Sequence, residues 1–227
     1  MTTRNLPGSD AARYGTGDAD LTMMLAVHAA LRRDLERLTR AAASADLSDP
    51  ARRASVRAGW ELLKSQLHQH HAGEDTFIWP ELRQRLSHSD SAQSVLDAME
   101  SEHKQIDPLI AAVDGAFAGT EEGHGADLPT MSDAADALVT SLTGHLSHEE
   151  RDGLPLIGVA LTEAEWRRVG IKIGRAHGLS AIGEVFGWLA DGADQDHAAM
   201  VLGILPPPMR LIYRAFWKPR YARTARW

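Results

Sequence analysis

The feature that most narrows what this chain can fold into is an internal repeat. Sliding the sequence by 75 residues lays "LTMMLAVHAALRRDLERL" (21–38) on "LDAMESEHKQIDPLIAAV" (96–113). Leu21 then falls on Leu96, Met24 on Met99, His28 on His103, Leu31 on Ile106, Leu35 on Ile110 and Leu38 on Val113. Apolar positions that alternate three and four residues apart form the stripe of a helix packed in a bundle. The same shift lays "HQHHAGEDTFIWPEL" (68–82) on "TGHLSHEERDGLPLI" (143–157), so that His70 meets His145, Glu74 meets Glu149 and Pro80 meets Pro155. Upstream, Val56, Leu63 and Leu67 fall on Met131, Leu138 and Leu142.

Each half therefore contributes two helices, and the expected fold is all-α: an up-and-down four-helix bundle with a pseudo-two-fold repeat. The first helix is predicted from about Asp20 to Ala43. The second starts at Asp49-Pro50, a capping aspartate followed by a first-turn proline. The third is predicted over about 91–117, and the fourth from Thr130, with Asp133 three residues on. The Gly-rich acidic stretch "AGTEEGHGADLP" reads as the exposed connection between the halves. Residues 1–20, polar and Gly-rich, read as a flexible arm, residues 21–160 as the bundle and residues 161–227 as a C-terminal helical extension. Thr162 and Glu165 open that extension with a capping-box pattern. Further short helices are expected over 179–190, 194–205 and 206–218.

Two stripes end in polar residues. On the second helix the stripe runs Val56, Trp60, Leu63, Leu67, His70, Glu74, and on the fourth Met131, Ala135, Leu138, Leu142, His145, Glu149. Residues four apart on a helix point into the same space, about 6 Å from each other. His28 and His103 occupy the middle of the partner stripes. The core would then hold four imidazoles and two carboxylates. An ionised carboxylate in an apolar core costs several kcal/mol unless it is paired or binds a metal, and no Lys or Arg shares these stripes. A pair of divalent ions bridged by Glu74 and Glu149 and capped by His28, His70, His103 and His145 resolves that cost. One histidine on a stripe is more often an ordinary core residue than a ligand; six exceptions repeated at a single offset are a different matter. The chain has no cysteine, which excludes thiolate sites and leaves imidazole and carboxylate ligands that suit iron or manganese, and zinc less specifically.

This order of His, His-x-x-x-Glu, His, His-x-x-x-Glu on four helices resembles the hemerythrin-like, or HHE cation-binding, family over residues 21 to about 160. The resemblance implies a non-heme site of two iron ions with an oxo or hydroxo bridge, reacting with O2, peroxide or nitric oxide, or serving as an iron, oxygen or redox sensor or an iron store. Whether it is an oxidoreductase that turns a ligand over or only a binder stays open. The oxygen-carrying members, to which the chain is similar, use a fifth histidine four residues after the third-helix ligand, where this chain has Asp107. Four imidazoles, two bridging carboxylates and a bridging oxygen leave two positions open on a pair of octahedral ions, where the carriers leave one. That departs from reversible carriage toward chemistry at both ions.

Asp107 has two readings: a seventh ligand on the face of His103, or, preferred, part of an Asp-Pro cap where a kinked helix restarts. His71, whose repeat partner is Leu146, is expected in an outer-layer or surface role. His68 and His148 are expected in solvent at the site's edge, within reach for proton exchange, and His88, His124, His177 and His197 in loops or on the surface. Trp79 and Leu154 precede prolines taken as helix ends and are expected to cover the site.

The formal net charge of −7 hides an asymmetry, since Pro206 to the end holds six basic residues and no acid. This tail can dock on an acidic bundle, its own or a second copy's, lie weakly on an anionic membrane surface, or bind nucleic acid. Docking is the simplest of the three, and specific nucleic-acid recognition is not expected. No signal peptide and no run of about 18 uninterrupted apolar residues is evident, and the absence of cysteine suits a reducing cytoplasm.

Overall fold

The computed structural model describes residues 19–44, 47, 49–122 and 130–227. They are helical, with no strand among the described residues. Four long helices form the body: α1 (Thr22–Ser44), α2 (Pro50–Gly73), α4 (Asp90–Glu122) and α5 (Met131–His148), with α3 (Trp79–Arg85) and α6 (Leu154–Ala160) prolonging α2 and α5. α1 packs against α2 and α5, and α4 against α5 and α2, closing a ring of four.

Local chemistry sets the starts. The Asp49 side chain accepts from the Ala51 amide ahead of Pro50, and Thr130 and Asp133 cap α5 reciprocally, as do Thr162 and Glu165 for α7 (Glu163–His177). The expected flexible arm falls on residues 1–18, outside the described residues, apart from its last two positions. The expected connection between the halves is partly helix, since α4 continues through Glu122; His124 and the rest of that stretch lie outside the described residues.

Two apolar clusters hold the body together. One contains Leu31, Leu35, Leu63, Leu67, Ile106, Ile110, Leu138 and Leu142; the other contains Met24, Ile78, Trp79, Leu96, Met99, Leu154 and Ile157. Along α1 and α4 the chain passes from the second cluster to the first, through His28 and His103. Along α2 and α5 it passes back, through His70 and His145. The helices therefore alternate in direction, and the ligand candidates lie in a polar layer between two dry clusters.

The repeat extends into secondary structure that periodicity did not anticipate. After α2 the chain widens into a π turn over Glu74–Ile78 before continuing as α3, and after α5 it does the same over Glu149–Gly153 before α6. Both turns, and both following helices, superpose at the 75-residue offset. Pro80 and Pro155 thus do not end the helical runs that carry His70 and His145. A proline lacks an amide donor and crowds the carbonyl one turn back; the helix accommodates it by widening, with Trp79 and Leu154 donating to the carbonyls of Glu74 and Glu149. α4 likewise runs through Pro108 without restarting.

Beyond α6, α7 is followed by α8 (Leu179–Leu189), α9 (Gln195–Gly203), α10 (Pro207–Ile212), a π turn (Tyr213–Trp217) and α11 (Lys218–Ala222). α8 docks on α1: the Trp188 indole donates to buried Asp34 at 2.8 Å, Arg33 reaches the carbonyls of Trp188 and Asp191, and Arg37 pairs with Asp191 at 2.7 Å. The basic tail folds back on the same body. Trp217 covers Gly183 and Tyr221 covers Gly187 so closely that a Cβ on either glycine would lie within 2.7–2.9 Å of the aromatic side chain. Trp227 covers Gly59 of α2, its amide donating to the Ser55 carbonyl. Leu211 and Phe216 remain exposed at 67% and 69%. No helix among the described residues is long and apolar enough to cross a membrane.

Candidate metal centre

All six residues picked out by the repeat meet in the polar layer. His28, Glu74, His103, His145 and Glu149 are buried, and the His70 side chain is 6% exposed. Their contacts follow the repeat. His28 and His70 bring their Nε2 atoms to 3.2 Å, and the corresponding pair, His103 and His145, does so at 3.2 Å. Glu74 spans the two pairs, with Oε1 at 3.2 Å from His70 Nε2 and Oε2 at 3.4 Å from His103 Nε2. Glu149 spans them from the other side, its Oε2 lying 3.2 Å from His28 Nε2 and 3.9 Å from His145 Nε2.

The outward ring nitrogens are held by acids that sequence reasoning did not single out. His28 Nδ1 meets Glu150, which also takes Arg32 at 2.6 Å; His103 Nδ1 meets Asp75; His145 Nδ1 meets Glu102 at 2.8 Å. A carboxylate at Nδ1 keeps the proton there and turns the Nε2 lone pair inward. The signal was present, because Asp75 and Glu150 are themselves one repeat apart, but nothing in a helical stripe says where a residue beside the stripe will reach. Glu102 has no such counterpart, its repeat position being Val27.

Burial and neighbouring charge set the protonation. Burial alone would lower His28 and His103, yet Glu149 with Glu150, and Asp75 with Glu74, overcome it and raise both to about 9. Burial followed by the Glu149 charge raises Glu74 to about 8. His70 and His145 are lowered, chiefly by burial. Burial opposes ionisation of Glu150, but bonds from His28 and Arg32 hold it at about 2.

Of the two places expected for His71, the surface one is excluded: it is buried at 6% exposure, its ring stacked on His103 at 3.8 Å and edge-on to His145 at 5.3 Å. Asp107 is exposed and stands outside both clusters of potential ligands, which are His28, His70, Glu74 and Glu149, and His71, His103 and His145. His68 and His88 are exposed, and His197 is partly exposed. His148 is half-buried, bridging Glu102 at 2.7 Å and Asp152 at 3.3 Å. Trp79 and Leu154 are buried in the cluster that closes one side of the layer.

A helical bundle whose interior layer is built of imidazoles and carboxylates belongs to the class of bundles that hold metal ions between facing helices. Residues 19–157 match the hemerythrin HHE cation binding domain, and the chain is a member of that family. No curated protein and no solved structure matches it. Membership implies binding of a metal cation, and the two clusters are groups that could hold one.

Proposed function

We propose that the chain holds two iron ions between Glu74 and Glu149, with His28, His70, His103 and His145 as imidazole ligands, and that it binds or turns over O2, hydrogen peroxide or nitric oxide in the cytoplasm. One observation carries the reading. All four oxygens of Glu74 and Glu149 are buried without a hydrogen-bond donor, although four Nε2 atoms face them within 3.2–3.9 Å. A metal cation in place of the protons these groups hold would satisfy nitrogens and oxygens together, and a nitrogen and oxygen set without sulfur suits iron.

Bound iron would supply the redox capacity and the site at which the small ligand attaches. The chain's own residues do the rest. Glu150, Asp75 and Glu102 orient three imidazoles through Nδ1. The two apolar clusters flank the layer, and their low dielectric strengthens every charge interaction within it. The pair His148 and Glu102 links the His145 imidazole to solvent and is placed to pass protons to its edge.

A second reading, a sensor that signals through the C-terminal region, rests on a contact. α7 packs on the π turn that carries Glu74, and Ile173 lies so close that a Cβ on Gly73 would be 3.6 Å from it. A change at Glu74 is thereby placed to reach residues 161–227.

The test is anaerobic iron loading followed by metal analysis and air oxidation. The reading expects about two irons per chain and the charge-transfer absorption of a bridged diferric centre; protein with neither refutes it. Exposure to peroxide and nitric oxide then separates a catalyst from a binder. A change in protease sensitivity of residues 161–227 on metal removal supports the sensor.

A further inference from the structure

His71 breaks the symmetry of the layer. Its repeat counterpart is Leu146, a buried apolar residue, so packing at this place asks for no polar group. Yet the His71 ring is buried, and its Nε2 has no hydrogen-bond partner. A buried nitrogen left without a partner is destabilising and survives where it has another use. One ring nitrogen each from His71, His103 and His145 fall within 4.8 Å of one another, while His28 and His70 group with Glu74 and Glu149 within the same distance.

Resting on the metal-binding reading above, we propose that His71 is a fifth imidazole ligand and that the two metal positions are chemically unequal. One is held by His71, His103 and His145, the other by His28 and His70, with Glu74 and Glu149 shared between them. The position with two imidazoles would have fewer protein ligands than the other. This replaces the symmetric pair implied by the repeat, and it fills from α2 the vacancy that Asp107 does not fill from α4. Imidazole lone pairs lie in the ring plane, so parallel-stacked His71 and His103 cannot both aim at one ion. Loading therefore turns His71 off the face of His103.

The experiment compares the full chain with His71→Leu, which copies the repeat's own residue. Co2+ titration in competition with a chelator is expected to give two unequal steps in the natural chain, and in His71→Leu a tight step weakened by roughly tenfold to a hundredfold. In the Zn2+-loaded protein, 15N-labelled histidine is expected to show five imidazoles shifted by metal, and four in the variant. Should the variant not fold, the count in the natural chain decides. Metal binding with only four shifted imidazoles in the natural chain, or with unchanged affinity in His71→Leu, overturns the proposal and leaves the metal-binding reading standing. A natural chain that binds neither ion overturns both.

Discussion

His28 Nδ1 lies 2.9 Å from Oε1 of Glu150, a residue of the other half of the repeat. Its image is His103 Nδ1 against Asp75, also at 2.9 Å. Each half thus supplies the acid that holds the other half's histidine.

The crossed pairs predict the effect of neutralising the acids. Glu150→Gln keeps the side-chain shape but weakens the hold on the Nδ1 proton and hence the direction of Nε2. Metal affinity is expected to fall by roughly tenfold to a hundredfold, and Asp75→Asn to act in the same direction. Competition titration with a chromophoric chelator measures both, with unchanged affinity counting against the orienting role.

Glu74 and Glu149 should govern how metal stabilises the fold. A ligand that binds only the folded state stabilises by about 2.7 kcal/mol at a hundredfold excess over Kd, or roughly 5–11 °C in melting temperature for a chain of this size. That rise is expected in the natural protein and expected to vanish in Glu74→Gln and Glu149→Gln. Scanning calorimetry with and without metal decides it.

Protonation gives a pH dependence with a definite sign. His28 and His103 are raised from 6.5 to about 9 in the folded chain, so the fold binds protons more tightly than the unfolded chain does. Their contribution is fully present below pH 6.5 and is lost as pH rises through 9. Glu74, raised from 4.5 to about 8, loses its contribution in the same direction between those values. Chelator-treated protein is therefore expected to melt at progressively lower temperature from about pH 6.5 to 9. Metal affinity should rise across that window, because the cation displaces these protons. Melting curves and proton release into weak buffer at several pH values report the two trends.

The docked tail can be released without touching the site. A Cβ at Gly183 or Gly187 would strike the aromatic side chains of Trp217 and Tyr221 at 2.7–2.9 Å, and overpacking of this kind costs about 1–3 kcal/mol. Gly183→Ala and Gly187→Ala are expected to speed proteolytic cleavage within residues 206–227 while leaving metal affinity unchanged. Protection equal to that of the natural chain would show that the tail is held elsewhere.

Much of this is legible in the sequence. The offset that pairs His28 with His103 and Glu74 with Glu149 works because a helix presents every third or fourth residue to one face, so identity along a stripe becomes proximity in space. Capping at Asp49, Thr130 and Thr162 was equally plain, being a matter of side chain and backbone within one turn. What failed did so where the local rule competed with a neighbour. Pro80 and Pro155 looked like stops and are absorbed by π turns; Asp107-Pro108 looked like a kinked restart and lies inside α4, with Asp107 in water. His71 looked peripheral by the symmetry of the repeat and is buried by the asymmetry of the fold.

The division is a physical one. The sequence by itself determined the helices, their pairing and the six polar residues of the core stripes, because these follow from period and register along one chain. Only the tertiary structure decided that Glu150 reaches His28 and Asp75 reaches His103, that His71 stacks on His103, and that the basic tail closes over Gly183, Gly187 and Gly59. These contacts join residues whose separation along the chain carries no period, so their meeting depends on how the helices lie against one another.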